Sequence, residues 1–387
     1  MNPEDFSSNS SGHIVRTPQG YWAFLPNPLP PDLQWSPGLI ALLSEADRSL
    51  GELAGLGRSL LNPHLLVRPF IRREAVLSSR IEGTQASLTD LYTYEAVQMS
   101  LFEIAGDVRE VQNYVRAMEY GLERLETLPV SLRLIREIHA QLMEGVRGDH
   151  WNPGEFRHTQ NWIGPQNSTL ENATFVPPPP DEMLQALTRL EAFLHASSDL
   201  PPLIRLGLIH YQFEAIHPFL DGNGRVGRLL SSLLLCAWGL LPQPLLNLSA
   251  YFEANREAYY DHLIQVSQKG MWLEWSGYFL QGVKSQAGDA VQRIRRLHDL
   301  RERYRAKFQT SRAAARLLQV IDFLFEKPVL TIQQVAASLD VHYPSAQRYV
   351  KYLEAEGILS ETTGRARDRV YRADEILHAI EAPINND

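Results

Sequence analysis

Residues 217–228, HPFLDGNGRVGR, combine a candidate base with groups that bind anions. The proline after His217 disfavours helical geometry in the residue before it, so we expect a helix to end at this histidine. Gly222 and Gly224 allow a ligand to approach the main chain closely. The helix that begins after them offers free N–H groups to an anion. The spacing therefore predicts a base beside an anion site.

Two arginines and one acid extend this site. Arg225 and Arg228 are one helical turn apart, so we expect both guanidinium groups on one side, where they can hold neighbouring phosphates. Asp221 adds a single oxygen ligand, which suits a Mg²⁺ ion that keeps waters and binds phosphates. A neutral His217 can take a proton from a hydroxyl aligned with a phosphate. A Gly-Asn-Gly turn alone would also fit a plain helix junction, but the full pattern predicts phosphoryl or nucleotidyl transfer.

Composition limits the cellular setting and the partners. The formal net charge of −8 and a pI near 5.9 argue against a surface that coats nucleic acid or an anionic membrane. Cys236 is the single cysteine, which excludes an internal disulfide and predicts a cytoplasmic protein. The apolar run 229–241 is shorter than the roughly 18 residues of a membrane span, so it predicts a buried helix. The first residues lack a signal-peptide pattern and are expected to form a loose tail.

Helical periodicity over most of the chain predicts a mainly α protein. The expected parts are a tail with a proline-rich segment, a helical region, a helical core, an exposed connecting helix and a C-terminal unit, at 1–37, 38–120, 121–285, 286–310 and 311–387. Between 144 and 180, Gly, Asn, Pro and short β-prone pieces predict a hairpin with loops. The C-terminal order of helix, strand, two helices joined by a turn, and β ribbon is typical of a winged helix-turn-helix.

The twelve residues 217–228 resemble the signature of the Fic family, H-x-F-x-[DE]-G-N-G-R-x-x-R, at every defined position. Most members that keep it are protein adenylyltransferases, which move AMP from ATP to a target hydroxyl. The resemblance implies a Fic-type helical core with a β-hairpin flap, His217 as the general base for a Ser, Thr or Tyr hydroxyl, and Asp221 as the Mg²⁺ ligand. It assigns the nucleotide site to Pro218, Phe219, Leu220, Asp221, Gly222, Asn223, Gly224, Arg225 and Arg228.

A second pattern, SSRIEG at 78–83, resembles the inhibitory motif of the same family, [ST]-x-x-x-E-[GN]. An ordinary helix C-terminus would also fit it. In relatives whose inhibitory helix precedes the core, the motif implies roles for Ser78 and Glu82. Glu82 would form a salt bridge with Arg228 in the nucleotide site and deny that arginine to the γ-phosphate. The resemblance thus implies a restrained enzyme.

Further resemblances concern the target and the adenosine. The segment around NWIG resembles the flap that aligns a target by strand addition, which gives Asn161, Trp162, Ile163 and Gly164 as flap residues. Tyr260 belongs to a tyrosine pair that follows the signature in many relatives, and it is the candidate contact to adenosine. Aromatic residues at helical spacing fit a core equally well.

Three functions remain open at this point. The first is AMP transfer from ATP to a protein substrate with a hydroxyl side chain, and to the enzyme itself. The second is AMP removal, with Glu82 activating a water. The third is a transcriptional regulator with a nucleotide-sensing core. Residues 310–387 carry nine basic and eleven acidic side chains, a net charge of −2, whereas DNA-reading domains are normally basic. A protein contact is therefore favoured over DNA, and a homodimer fits as well.

Overall fold

The computed structural model describes residues 1–59, 64–97, 106–146, 152–165, 167–309, 314–365 and 367–383, with the backbone alone at 64 and 65. Helices dominate this part of the chain. In order they are α1 (Pro37–Ser59), α2 (His64–Ile81), α3 (Leu88–Val97), α4 (Gly106–Arg124), α5 (Leu132–Leu142), α6 (Pro180–His195), α7 (Pro202–Ile216), α8 (Asn223–Ala237), α9 (Leu248–Ala254), α10 (Arg256–Lys269), α11 (Trp272–Phe308), α12 (Ala314–Glu326), α13 (Ile332–Leu339), α14 (Tyr343–Ala355) and α15 (Asp374–Glu381). The strands are β1 (Gly12–Arg16), β2 (Trp22–Pro26), β3 (Val329–Thr331), β4 (Ser360–Glu361) and β5 (Val370–Arg372). The mainly α fold with small sheets is as predicted.

Helices α7 and α8 lie at the centre and pack against each other. Nearly every residue of α7 is buried, as are the first thirteen positions of α8 with the exception of Gly224. Around this pair, α8 also contacts α2, α4 and α5, while α7 contacts α6, α10 and α11. The predicted helix end at His217 is confirmed, because α7 stops at Ile216 and His217 is its C-cap. The connection at 217–222 is thereby fixed on both sides by buried helices.

The N-terminal segment is not the loose tail that its polar composition indicated. Strands β1 and β2 form an antiparallel hairpin in which Gly12 lies opposite Pro26. Phe24 is fully buried, its ring centroid is 5.5 Å from that of Phe175, and its amide donates to the Val176 carbonyl at 2.9 Å. The apolar run that forms β2 is too short to stand out in the sequence, and its partners are some 150 residues away.

Helix α11 is also different from the exposed connector predicted at 286–310. It starts at Trp272, continues without a break through position 285, and packs along α1. Arg293 is fully buried and pairs with Asp289 at 2.9 Å. Long arginine stems cover apolar surface, so a charged sequence can form a buried helix face.

The segment between α5 and α6 contains one antiparallel bridge among its described residues, in place of the predicted hairpin. Ile163 and Phe175 exchange two backbone hydrogen bonds of 2.8 and 3.0 Å. Prolines at 177–180 remove the amide donors that a longer ladder would need. Residues 147–151 and 166 of the predicted hairpin lie outside the described part of the chain.

At the C-terminal end, the antiparallel strand order is β3-β5-β4. The strand at 329–331 and the two following helices are present as predicted, with a capping box at the start of α13 formed by Thr331 and Gln334. The start of the predicted first helix, 311–313, lies outside the described residues, and α15 was not predicted. Helices α12 and α15 pack against α2, and Glu326 forms an ion pair with Arg68. No helix in the described ranges is long and apolar enough to cross a membrane.

Candidate active site

The loop between α7 and α8 begins with an unusual backbone conformation. His217 has φ 49° and ψ 62°, in the left-handed region that non-glycine residues seldom adopt. Its carbonyl accepts hydrogen bonds from Arg157 Nε at 2.9 Å and Asn161 Nδ2 at 3.3 Å. Arg157 is buried and its own amide donates to the Pro218 carbonyl. These contacts hold the histidine at the turn, and sequence reasoning missed Arg157 as one of its supports.

The side chain of His217 lines a cavity of about 730 Å³. Its Nδ1 lies 3.3 Å from the Glu214 carbonyl, which can only accept, so Nδ1 carries the hydrogen and Nε2 has the lone pair. Burial and the nearby charge of Arg157 lower the pKa of His217 to about 4. The imidazole is therefore neutral at pH 7, which is the state that a general base requires.

Several residues of the predicted nucleotide site instead build the loop. Asn223 Oδ1 accepts from the Phe219 amide and its Nδ2 donates to the Phe219 carbonyl, both at 2.8 Å. Phe219 is fully buried and stacks on His139 with a centroid distance of 3.7 Å. Asn161, predicted to belong to the flap, is buried and donates to the same carbonyl at 2.8 Å. Pro218 is buried and Leu220 is partly buried in this loop.

The N-terminus of α8 faces the cavity through Gly224. Gly222 is the N-cap with φ 78°, and because it has no side chain it leaves the first N–H groups of the helix without a side-chain cap. A methyl group at Gly224 would clash with Glu82 Oε1 and come within 2.8 Å of Arg228 Nη1. The glycine thus permits a carboxylate to lie directly against the positive end of the helix.

Arg228 is held by the end of α2. Its Nη2 is 2.6 Å from Glu82 Oε1 and 3.0 Å from the Ser78 carbonyl, and its Nε donates to Ser78 Oγ at 2.9 Å. The Arg228 side chain is 1% exposed and that of Glu82 is 32% exposed. Burial raises the pKa of Glu82, but the charge and hydrogen bond of Arg228 outweigh it and bring that pKa below its usual value. The predicted salt bridge is present in the structure.

Arg225 lies on another side of α8 from Arg228, which differs from the prediction that both face one ligand. It is buried between α8 and α4, where its Nη1 is 3.2 Å from Glu110 Oε2. Its Nη2 is 3.7 Å from Asp221 Oδ1. Three residues of helix separate the two arginines by about 60°, and α2 and α4 take one guanidinium each. The acid that pairs with each arginine depends on tertiary packing, which residue spacing does not predict.

Asp221 contributes to the cavity wall with a side chain that is 30% exposed. Its Oδ1 accepts from the Gly222 amide at 2.6 Å. His139 fixes its backbone: Nδ1 accepts from the Gly154 amide, so Nε2 donates to the Asp221 carbonyl at 3.1 Å. Among the described residues there is no group of three or more His, Cys, Asp or Glu that could hold a metal. A single carboxylate fits a Mg²⁺ ion whose other ligands are phosphates and water.

The remaining walls carry the flap and tyrosine residues. Trp162 and Ile163 are 41% and 36% exposed and line the cavity together with Gly164. On the facing wall, Tyr260 is 40% exposed and the Arg256 guanidinium lies 5.9 Å from its ring centroid. The structure therefore brings His217, Asp221, Gly224, Arg228, Glu82, Tyr260 and three flap residues to one cavity.

Glu214 is a cavity residue that the sequence reasoning missed. Its Oε1 is buried without a hydrogen-bond partner in the described part of the chain, and it lines the cavity beside Arg228. Burial raises the pKa of Glu214 to about 7, although the charge of Arg228 acts in the opposite direction. The sequence feature that could have indicated it is its position in the last turn of α7, three residues before His217.

Fold and site together define a mainly helical protein in which a histidine, a carboxylate and the N-terminus of a buried helix face one cavity. Residues 40–123 match the family model described as Fic/DOC family N-terminal, and residues 129–235 match that of the Fic/DOC family. These two regions of the chain therefore carry the Fic/DOC family pattern, with distant homology to protein adenylyltransferases. Members of this family are typically nucleotidyltransferases that use ATP and Mg²⁺.

The curated relatives include the protein adenylyltransferase Fic of Drosophila grimshawi, which is 27% identical over 197 residues. The same protein of Drosophila virilis is 28% identical over 197 residues. Each match covers 49% of this chain and 36% of the relative, so the chain spans about a third of their length.

Solved structures with this fold include a Fic family protein from Desulfovibrio desulfuricans G20. It has a TM-score of 0.54 and 21% identity, and the match covers 89% of this chain and 98% of that one. Fic-1 from C. elegans has a TM-score of 0.51 and 20% identity, with 67% and 74% covered. At these identities the likeness concerns the fold.

Proposed function

We propose that the chain is a protein adenylyltransferase, which transfers AMP from ATP to a Ser, Thr or Tyr hydroxyl of a target protein and of itself. The observation that carries the proposal is the convergence of three groups on one cavity: the neutral His217, Arg228 and the N-terminus of α8. A base together with two anion-binding groups suits a nucleophile that attacks a phosphate.

These groups account for each part of the AMP transfer. The target hydroxyl oxygen attacks the α-phosphorus of ATP while its proton passes to Nε2 of His217. The bond from the α-phosphorus to the oxygen bridging to the β-phosphate breaks, and pyrophosphate leaves with the electron pair. The N–H groups of α8 and the Arg228 guanidinium bind phosphate oxygens. Mg²⁺, when held by Asp221, would offset phosphate charge.

The cavity walls support assignments for the other two parts of the substrates. Ile163 and Phe175 form a single bridge beside the cavity, and this short edge suits an extended target segment that adds by backbone pairing. Trp162 and Ile163 would then contact its side chains. The exposed ring of Tyr260 offers a face against which the adenine can stack.

The proposed enzyme is restrained by Glu82. Its carboxylate occupies Arg228 and lies against Gly224, at the positive end of α8. A γ-phosphate needs the same guanidinium and carries the same sign of charge. Glu82 and a productive nucleotide therefore compete for one place.

The test is self-labelling with ATP labelled in its α-phosphate. Glu82→Gly should raise the rate about 10-fold to 100-fold, since a charged hydrogen bond is worth about 1.5–3 kcal/mol and 1.4 kcal/mol is tenfold. Glu126→Gly removes an exposed glutamate from another turn and should leave the rate unchanged. Adding His217→Asn to Glu82→Gly should abolish labelling. Equal rates for wild type and Glu82→Gly would refute the restraint, and label transfer that persists without His217 would refute the base.

AMP removal is a second candidate, because the Glu82 side chain is partly exposed to the same cavity as His217. In that reaction Glu82 would accept a proton from a water whose oxygen attacks the AMP phosphorus. The bond from phosphorus to the protein oxygen would break, and that oxygen would leave with the electron pair and take up a proton to restore the hydroxyl. Wild type and Glu82→Gly would be incubated with protein already carrying labelled AMP. Loss of label with wild type but not with Glu82→Gly would favour AMP removal.

We further propose that the C-terminal unit is a winged helix-turn-helix. The order α12, β3, α13, α14, β4, β5 and the sheet order β3-β5-β4 support it. Its net charge of −2 favours a protein partner over DNA. Retardation of duplex DNA by the full chain at low salt would reverse that preference.

A further inference from the structure

The turn after α2 contacts α4 as well as α8. Thr84, two residues beyond Glu82, donates its hydroxyl to Glu110 Oε2 at 3.2 Å. The Gln85 amide donates to Asp107 Oδ2 at 2.8 Å, at the start of the same helix. Thr84 and Glu110 are 5% and 7% exposed. We call residues 82–85 the inhibitory turn. Two hydrogen bonds therefore connect this turn to α4.

The same oxygen of Glu110 also binds Arg225. Arg225 Nη1 donates to Glu110 Oε2 at 3.2 Å, and Arg225 Nη2 lies 3.7 Å from Asp221 Oδ1. One carboxylate oxygen thus connects the inhibitory turn to Arg225, and Arg225 connects it to the acid on the cavity wall.

The charges decide what this connection does. Arg225 is 2% exposed and its Nε has no partner in the described residues, so Glu110 is its main counter-charge. A buried cation that loses its partner is costly and turns to the next anion within reach. Asp221 is that anion. Glu110 therefore competes with Asp221 for Arg225 and makes the closer contact, 3.2 Å against 3.7 Å, so that the Asp221 carboxylate stays available on the cavity side.

We propose that Glu110 is a positioning residue for Asp221, and that Thr84 couples it to the inhibitory turn. The turn that occupies Arg228 through Glu82 also sets the carboxylate of Asp221, through Thr84, Glu110 and Arg225. The inference rests on the proposed function, because it takes Asp221 as the Mg²⁺ ligand. It deepens that function by giving the inhibitory turn a second point of action, on the metal site.

The experiment measures ATP affinity by calorimetry with and without Mg²⁺, in the Glu82→Gly background so that Arg228 is free. Glu110→Gln keeps the shape and the acceptor oxygen but removes the charge. It should lower the enhancement of ATP affinity by Mg²⁺ about 10-fold, the size typical of groups that support a metal ligand. ATP affinity without Mg²⁺ should change less than twofold.

A matched control is Glu123→Gln, an exposed glutamate on the same helix α4, which should change neither affinity. Thr84→Val keeps the volume and the Glu110–Arg225 pair, so it tests the coupling if Glu110→Gln fails to fold. It should lower the Mg²⁺ enhancement about threefold, less than Glu110→Gln does, because the lost hydrogen bond acts on Asp221 only indirectly, through Glu110 and Arg225.

Two results would overturn the inference. The first is an Mg²⁺ enhancement in Glu110→Gln and Thr84→Val equal to that of Glu123→Gln. The second is an equal loss of ATP affinity with and without Mg²⁺, which would show a structural role only. If the Glu82→Gly parent itself binds no ATP, the proposed function fails and this inference falls with it, and that result is distinct from either of the other two.

Discussion

At the scale of single residues, two acids near the site hold a proton to a higher pH than a free carboxyl group does. Burial raises the pKa of Glu74, which accepts from Ser249 Oγ, and of Glu214 to about 7 each. Glu214 lies on the cavity wall, where an ionised carboxylate would repel phosphates. Partial protonation of this group near pH 7 therefore lowers the negative charge on the cavity wall.

The pH dependence of stability follows from the sign of that shift. The Glu214 pKa is about 7 in the folded protein and near 4.5 in the unfolded chain, so the folded state binds more protons between these values. Its contribution to stability is complete below about pH 4.5 and is lost as the pH rises through 7. Glu214→Gln cannot titrate, so relative to wild type its free energy of unfolding should rise by up to about 3 kcal/mol from pH 5 to pH 8.

Chemical denaturation at both pH values measures this difference. Glu257→Gln, an exposed change on α10, should give the same difference from wild type at pH 5 and pH 8. The interpretation would be wrong if Glu214→Gln behaved like this control.

At the scale of elements, helix α8 shows how far sequence reasoning reaches. The histidine at the end of α7, the glycine turn and the buried helix after it follow from local rules, and they are present. The directions of the Arg225 and Arg228 side chains cannot be predicted from local rules, because they depend on α4 and α2, which are distant in sequence. The same limit applies to Asn161 and Asn223, whose types suit a ligand but whose amides close the loop.

Phosphate binding at the N-terminus of α8 can be tested by making the same substitution, glycine to alanine, at two positions. Gly224→Ala places a methyl against Glu82 and Arg228, so it should abolish ATP binding, and Glu82→Gly should not restore it. Gly277→Ala, in α11, meets no atom within 4 Å and should stabilise the protein by about 0.5–1 kcal/mol. Calorimetric binding and thermal unfolding measure the two effects. Normal ATP affinity in Gly224→Ala would argue against phosphate binding at this helix end.

At the scale of the whole molecule, the largest errors of sequence reasoning concern long-range packing. The N-terminal hairpin gains its core by contact with residues near 175 and 266, as when Ser11 Oγ donates to the Val266 carbonyl at 2.6 Å. Helix α11 is buried because α1 lies along it. These packing partners lie far from the hairpin and from α11 in the sequence. A short apolar strand is therefore predicted to be a tail, and an arginine-rich helix is predicted to be a connector.

Helix α2 joins the C-terminal unit to the site. It packs against α12 and α15 along its length and ends at the inhibitory turn. Deleting residues 310–387 should lower the melting temperature and raise self-labelling, because α2 loses part of the packing that positions Glu82. In the Glu82→Gly background the deletion should not raise labelling further. A deletion that raises labelling equally in both backgrounds would show that α2 does not transmit the effect.

Because α2 contacts the C-terminal unit and ends next to Glu82 on the cavity wall, binding at the two places can be thermodynamically linked. If a partner of the C-terminal unit changes the affinity of the cavity for ATP through α2, then ATP must change the affinity for that partner by the same factor. The search for the partner can therefore begin from the nucleotide: a protein whose binding to the full chain shifts when ATP is added, and does not shift in Glu82→Gly, reports on α2.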